Sequence, residues 1–426
     1  MKAAVLRETF PGEKRVALVA GNLAQLQKAG IDVIVESGAG QSAGITDADY
    51  EAKGATIATD RQAAFDADLV LQVRSLGANP ENGAADLPLM KTGQLIVGTC
   101  DPLGSATAAA TLAATGATSF SLELIPRITR AQSMDVLSSQ ATIAGYRAVL
   151  LAANELPKIF PLLMTAAGTL TAARVFVIGA GVAGLQAIAT ARRLGGIVEA
   201  YDVRPACREQ VESLGAKFVE LQLEATESED QGGYAKALGE DFYQKQRELM
   251  AAVVSESDVV ITTAAIPGQT SPLLITAEAV EGMASGGVII DLAAERGGNC
   301  ELSVADQRIV KNGVVILGPT NLPAEIPNHA SQMFSNNVTN FLLNLVKDGE
   351  INLDLDDEII AGTMVTHEGQ VSNARIRELL GLEALNETPE QNSEPTGQTL
   401  NATQDQNMEP TSNEIADSIN DEEPSV

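Results

Sequence analysis

The stretch Ala173–Arg204, ARVFVIGAGVAGLQAIATARRLGGIVEAYDVR, decides the fold. It opens on an apolar strand, Val175–Ile178, and runs into Gly179-x-Gly181-x-x-Gly184. Helical spacing follows to Leu194, and a second apolar strand stops at Asp202. Strand, glycine turn, helix and strand make the first unit of a dinucleotide-binding parallel sheet. Gly179 permits the tight turn, Gly181 lets a pyrophosphate approach the backbone, and Gly184 lets helix and strand pack closely. The helix N-terminus then presents free N–H groups to an anion. Asp202, 18 residues after Gly184, stands where an acid accepts ribose hydroxyls. A glycine-rich turn without a ligand is the alternative, and it leaves the register of both strands and the acid unexplained. A 2′-phosphate would face Asp202 at a cost on the order of 4 kcal/mol per close unit-charge pair, which favours NAD(H) over NADP(H). Arg204 lies beyond Val203 and softens this, because Arg accepts a 2′-phosphate. The preferred reading of Arg204 is a solvated surface charge.

Outward from this unit, short Val/Ile/Leu runs alternate with Ala-rich helical segments. Strands are expected at Lys2–Leu6, Asp32–Glu36, Leu69–Val73 and Gln94–Gly98, with helices such as Gly21–Lys28 and Leu103–Ala114. Later strands are Ile197–Tyr201, Val259–Thr262, Val288–Asp291 and Val314–Leu317. Continuous apolar strands alternating with helices mean an α/β class with parallel sheets covered on both faces. The two series, split by a helix from Ser138 to Leu156, predict two doubly wound Rossmann-like domains joined by long helices, with a cleft between them. The expected division is residues 1–137 with 310–380 for the first domain and 138–309 for the nucleotide-binding domain. His329–Val346 has helical periodicity and is expected to cross back to the first domain as core packing.

The 426 residues include 28 Lys plus Arg and 56 Asp plus Glu, a formal charge of −28. Such acidity excludes a phosphate-tracking surface for nucleic acid and disfavours docking on anionic lipid. Residues 383–426 hold eleven acids, no basic residue and no aromatic residue, so this tail is expected to be disordered. Its removal leaves −17 on the ordered body. No run offers 18 strongly apolar residues, so no membrane span is expected. The charged N-terminus lacks the apolar core of a signal peptide, and Cys100, Cys207 and Cys300 read as reduced thiols of a cytosolic protein. His329 and His367 are too few and too separated for a His-based metal site.

A fingerprint names a cofactor, not a reaction. A dehydrogenase needs a proton acceptor near its substrate, usually His or Lys, and both histidines fall outside the strand-end positions where active-site residues of such sheets collect. A different polar cluster precedes the linking helix: Arg127, Gln132, Asp135 and Ser138 lie within twelve residues. Arg127 can donate to, and Asp135 accept from, a neutral carboxamide, while Gln132 and Ser138 do both. None is a good general base. Alternatively Asp135 or Ser138 is simply the N-cap of the helix.

Besides PRITRAQSMD and Ser138, the chain carries RETFPGEKRVA, MTAAGT (Met164–Thr169), GGYAK (Gly232–Lys236), ITTAAIPG (Ile261–Gly268) and IIDLAAERGGNCE. With these stretches it resembles, over roughly residues 1–380, the NAD(H)-binding component of the proton-translocating NAD(P) transhydrogenases. That component is domain I, the first piece of a split alpha subunit. Transhydrogenases and alanine dehydrogenases belong to one family. Alanine dehydrogenases use a Lys and a His in the first domain and an Asp after the last Rossmann strand. Those positions hold Arg74, Cys100 or Asp101, and Glu295, so amino-acid chemistry is not supported. The insertion Leu221–Gln244 is similar to the transhydrogenases' mobile loop, with Tyr234 toward the nucleotide.

The resemblance implies direct hydride transfer between NADH on this chain and NADP(H) on a partner subunit. Such transfer needs rings about 3–3.5 Å apart and no protein base. It implies that Gly179, Gly181, Val182 and Gly184 cradle the pyrophosphate and that Asp202, Val203 and Arg204 surround the adenosine ribose. Ala264, Ala265 and Pro267 would line the pocket. Arg127, Asp135 and Ser138 would fix the carboxamide, with Gln132 reaching the partner's nucleotide. It also implies a homodimer bound to a membrane-spanning second alpha polypeptide and an NADP(H)-binding beta subunit. The expected location is peripheral, on the cytosolic face of an energy-transducing membrane. An alanine-dehydrogenase-like enzyme and a non-catalytic NAD(H)-binding module are the alternatives.

Overall fold

The computed structural model describes residues 1–221, 240–265, 268–347 and 349–385. Strands Lys2–Val5 (β1), Asp32–Glu36 (β2), Thr56–Ala58 (β3), Leu69–Arg74 (β4), Leu95–Thr99 (β5) and Thr118–Ser121 (β6) form a parallel sheet in the order 3-2-1-4-5-6. Two antiparallel strands from much later in the chain, Met364–His367 and Gln370–Val371, extend its β6 edge. The helix Val136–Glu155 (α1) then leads to an isolated hairpin, Leu163–Thr165 (β7) and Gly168–Leu170 (β8).

The second sheet contains Arg174–Ile178 (β9), Ile197–Tyr201 (β10), Lys217–Phe218 (β11), Val259–Thr262 (β12), Val288–Asp291 (β13), Arg308–Lys311 (β14) and Val314–Leu317 (β15). Its order is β11-β10-β9-β12-β13-β15-β14, parallel except for edge strand β14. Both sheets are thus doubly wound. In the second, the strand order reverses between β9 and β12, so a crevice opens beyond their carboxyl ends.

Strand alternation explains how the second sheet is covered on both sides. Val175 and Val177 of β9 pack with Ala148 and Ala152 of α1 and with Ala187 and Ile188 of the helix Val182–Arg193 (α2). Phe176 and Ile178, pointing the other way, meet Met250 and Val254 of the helix Glu240–Ser255 (α3). In the first layer the helix Pro327–Leu345 (α4) supplies Phe334, Val338, Phe341 and Leu342 to a core with Val5, Val33, Leu71 and Val97. The ring of Phe341 meets Phe120 of β6 edge-on, centroids 5.5 Å apart. Ser331 and Ser335 of α4 accept from the backbone N–H groups of Val16 and Val19, each at 3.0 Å.

Two expected boundaries are corrected. The changeover at 309/310 falls too early: β15 pairs in parallel with β13, and the chain returns to the first layer only with α4. The insertion expected over 221–244 also ends sooner. Residues 240–244 already belong to α3, whose Gln246 and Met250 are buried against the sheet. The insertion's remaining residues, 222–239, and the tail from 386 lie outside the described residues. Among the described residues, no helix is long and apolar enough to cross a membrane.

The reading of α4 as first-layer core can be checked directly. Phe341→Ala should lower stability by about 3–5 kcal/mol, read from the urea midpoint at unchanged slope. A loss under about 1 kcal/mol would mean that α4 is not integral to that core.

Candidate functional site

The glycine turn is shaped by close approach. Gly179 has φ +95°, and a Cβ there would lie 2.6 Å from Thr263 Oγ1. That hydroxyl donates to Gly179 O at 3.0 Å and holds the turn against the end of β12. A Cβ on Gly184 would lie 1.8 Å from Gly179 O, so α2 can seat on β9 only with glycine there. Gly181 differs: its φ is −75°, and a Cβ would meet nothing within 4 Å. The backbone does not require glycine at 181; only an occupant of the space beside it would. No side chain caps α2, so its first-turn N–H groups point at that space uncapped by the protein's own side chains.

The space is a cavity of about 540 Å³. The structure brings most of the expected residues to its wall. Gly179, Gly181 and Val182 come from the turn, Asp202, Val203 and Arg204 from the end of β10, and Ala264 and Ala265 from the end of β12. Arg127 and Ser138 reach it from the segment before α1 and from its first turn. Gly145 makes this possible. A Cβ on it would lie 2.1 Å from Ala183 O, so α1 packs directly on the start of α2. Gly184 works behind the wall through packing. Gln132 and Asp135 are not part of the wall. Tyr234 and Pro267 lie outside the described residues.

Asp135 is the N-cap of α1. Its Oδ1 accepts from the backbone N–H of Ser138 at 2.9 Å, and its Oδ2 accepts from Ser138 Oγ at 2.5 Å. Capping and site-building therefore coincide: the carboxylate orients the one hydroxyl of this cluster that reaches the cavity. Gln132 is exposed. The turn that carries it is tethered from the far end of the chain. Asn337 and Asn340 donate to Ser133 O at 2.8 and 3.2 Å, and Arg130 pairs with Asp357.

The reading of Arg204 as a solvated charge is corrected. Its Nε and Nη2 donate to Asp202 Oδ1 and Oδ2, both at 2.9 Å, and its backbone N–H donates to Oδ1 at 2.9 Å. Oδ2 also accepts from Ala180 N–H at 2.7 Å. The side chains are 16% and 5% exposed, too buried to count as a surface pair. Burial pushes the Asp202 carboxyl up, but hydrogen bonds and charge from Arg204, helped by Ala180 N–H, outweigh it and hold it below the usual carboxylate range.

The opposite wall rests on residues that motif reading passed over. Asp291, fully buried at the end of β13, accepts from Thr262 Oγ1, Ala293 N–H, Asn299 N–H, Cys300 N–H and Ser303 Oγ. Asn299, also fully buried, accepts from Ala264 N–H at 3.1 Å and donates to Ala264 O and Pro272 O at 2.8 and 2.9 Å. Ala264 and Pro272 both line the cavity. An acid closing an apolar strand and an Asn after paired glycines were the available signals.

The positions at issue for amino-acid chemistry are tied up elsewhere. Arg74 bonds Glu13 at 3.3 Å and sits over the Phe10 ring, 4.3 Å from its centroid. Asp101 pairs with Arg296 across the two layers, Cys100 is buried, and Glu295 is exposed. Burial alone pushes Glu13 up, but hydrogen bonding and charge from Arg15, with help from Asn321, hold it at about 2.

An anion-accepting helix start, a glycine that only an occupant requires, and an acid beyond the second strand define a dinucleotide-type site in a protein of two doubly wound α/β sheets. The comparisons agree on the class. The alanine dehydrogenase/PNT N-terminal domain matches residues 4–144 and its C-terminal domain residues 148–374, and the chain belongs to this family. It is 48% identical over 375 residues to the first part of NAD(P) transhydrogenase subunit alpha of Rhodospirillum rubrum, covering 87% of this chain and 97% of that one. A solved transhydrogenase from Sinorhizobium meliloti superposes with a TM-score of 0.76 at 41% identity, over 88% of this chain and 99% of that one. L-alanine dehydrogenase shares the fold, with a TM-score of 0.73 at 23% identity, over 89% of this chain and 99% of that one.

The second and third glycines of the motif should separate binding from folding. Gly181→Ala should leave the melting temperature nearly unchanged while weakening NADH by about tenfold, or 1.4 kcal/mol. Gly184→Ala should destabilise the fold itself by about 1–3 kcal/mol. The same pair of thermal melts and fluorescence titrations reads both, and a reversed pattern would reject the assignment.

Proposed function

We propose that this chain is the NAD(H)-binding subunit of a proton-translocating NAD(P) transhydrogenase. The observation that carries the reading is the match over 97% of a relative named as the first part of subunit alpha, combined with the character of the cavity. Among the described residues lining it there is no His, Lys or Cys, while Arg127 and Ser138 offer hydrogen bonds without a base. Such a set orients a neutral ring and takes no proton from it.

Bound NADH supplies the hydride, and a partner subunit's NADP⁺ receives it. The chain's own residues bind and position. Gly181 leaves room for the pyrophosphate, and the start of α2 presents N–H groups to it. Asp202 accepts the adenosine ribose hydroxyls. Arg127 and Ser138 hold the carboxamide, with Asp135 orienting the Ser138 hydroxyl. Gln132, exposed on its tethered turn, faces the partner's nucleotide. Proton movement belongs to a membrane-spanning second alpha polypeptide and the NADP(H)-binding beta subunit. The chain then sits peripherally on the cytosolic face of an energy-transducing membrane. A homodimer is supported by the isolated hairpin β7–β8, which leaves Leu163, Met164 and Leu170 exposed, Met164 at 76%.

Purified chain mixed with an NADP(H)-binding transhydrogenase subunit should reduce an NAD⁺ analogue at the expense of NADPH. NADH binding without any transfer would reject the reading. Asp135→Asn keeps a cap but changes the partner of Ser138 Oγ, so it should slow transfer at least tenfold more than it weakens NADH, a difference of about 1.4 kcal/mol. Equal losses would make Asp135 a capping residue only.

A further inference from the structure

The turn Thr129–Met134 carries Gln132, yet it is held by side chains that come 204 and 227 residues later in the chain. Its inner face, Ala131 and Met134, is buried and shares a core with Phe334 and Val338 of α4. Its outer face, with Arg130, Gln132 and Ser133, is exposed. The turn is a 3-10 helix of 6 residues, and the last carbonyls of any helix lack a partner within it. Ser133 O is such a group, and Asn337 and Asn340 both donate to it. Nearer the start of the turn, Arg130 Nη1 donates to Asp357 Oδ2 at 3.1 Å, and Nη2 donates to Oδ1. Asp357 is fixed in its own place: Oδ2 accepts from Asn344 Nδ2 at 2.9 Å and Oδ1 from Ile359 N–H at 2.8 Å. Asn337, Asn340 and Asn344 are spaced by three and four residues, so α4 presents them as one row. The turn is thus pinned twice from one helix face, and Gln132 lies between the pins.

We infer that Asn337, Asn340 and Asp357 are positioning residues for hydride transfer: they fix where the turn presents Gln132, and thereby how the partner's nucleotide approaches the one bound here. The inference rests on the transhydrogenase reading and goes beyond it, because it gives a part in the transfer to side chains outside the nucleotide cavity. With Arg130, these three are not among the described residues lining that cavity, so NADH can be held without them. Direct transfer is sensitive to placement: a shift of about 1 Å far from the chemistry can cost on the order of 100-fold in rate. A turn freed at one pin keeps its buried Ala131 and Met134 but lets its crest move. The Arg130 and Asp357 side chains are 49% and 17% exposed, so their pairing adds little stability, while its two-bond geometry fixes direction.

The test uses the full chain and three measurements: NADH affinity by fluorescence titration, thermal melting, and the single-turnover rate of transfer with an NADP(H)-binding transhydrogenase subunit. Asp357→Ala should slow transfer about tenfold or more and leave NADH affinity within about twofold. Asp357→Glu, which keeps the ion pair, should stay within about threefold of the wild-type rate. Arg130→Ala should match Asp357→Ala, and the double variant should be no slower than either single one. Arg130 is exposed, so its variant reads the same pin if Asp357→Ala does not fold. Asn337→Leu keeps the size and loses the donor, and it should also slow transfer about tenfold. Asn340→Ala, at a half-buried position, replaces it if it does not fold. Transfer within about twofold of wild type in the variant of either pin, a parallel loss of NADH affinity, or multiplied losses in the double variant would overturn the inference and leave the transhydrogenase reading standing. No transfer by the wild type with NADH bound would overturn that reading, and this inference with it.

Discussion

The close approach of three backbones at the start of α2 is the constraint on which the site depends. The turn at Gly179, the helix at Gly184 and the linking helix at Gly145 meet where a single methyl group would collide with a carbonyl or a hydroxyl oxygen. Because Gly184 is bare, α2 seats on β9 with its amide end at the crevice. Because Gly145 is bare, α1 lies against that same end. Ser138 and Arg127 then share a cavity with the glycine turn although more than forty residues separate them in sequence.

Around that contact, the two walls are held by different means. One wall is backbone held by packing. The other is a chain of buried hydrogen bonds that runs from Asp291 through Asn299 to Ala264. Buried polar networks of this kind favour one arrangement, because any partial rearrangement leaves a donor or acceptor unpaired. The cavity wall after β12 therefore inherits its shape from an acid at the end of β13.

What the amino-acid sequence disclosed follows from the range of its signals. The strand, turn, helix and acid of Ala173–Arg204 are local, and their register is legible from spacing alone. So is the placing of α4 in the first core, because its apolar residues recur at helical spacing. Contacts between distant segments were not legible. The pairing of Arg204 with Asp202 spans only two residues, yet it depends on burial that periodicity does not report. The late return of the chain to the first core follows from the pairing of β15 with β13, and no composition change marks it. Asn299 and Gly145 act on chain segments far from their own, and nothing in their immediate neighbours announces it.

The path of the chain also has a consequence for how the protein is made. The second sheet is continuous in sequence, from β9 to β15, whereas the first needs α4 and the strands ending at Val371 to complete its core and its edge. Domains generally fold as units, the N-terminal one first during synthesis. Here the order is inverted. On a ribosome, the earliest-made layer waits with its apolar face uncovered until the later one has emerged, and the nucleotide crevice exists before the layer that closes over it.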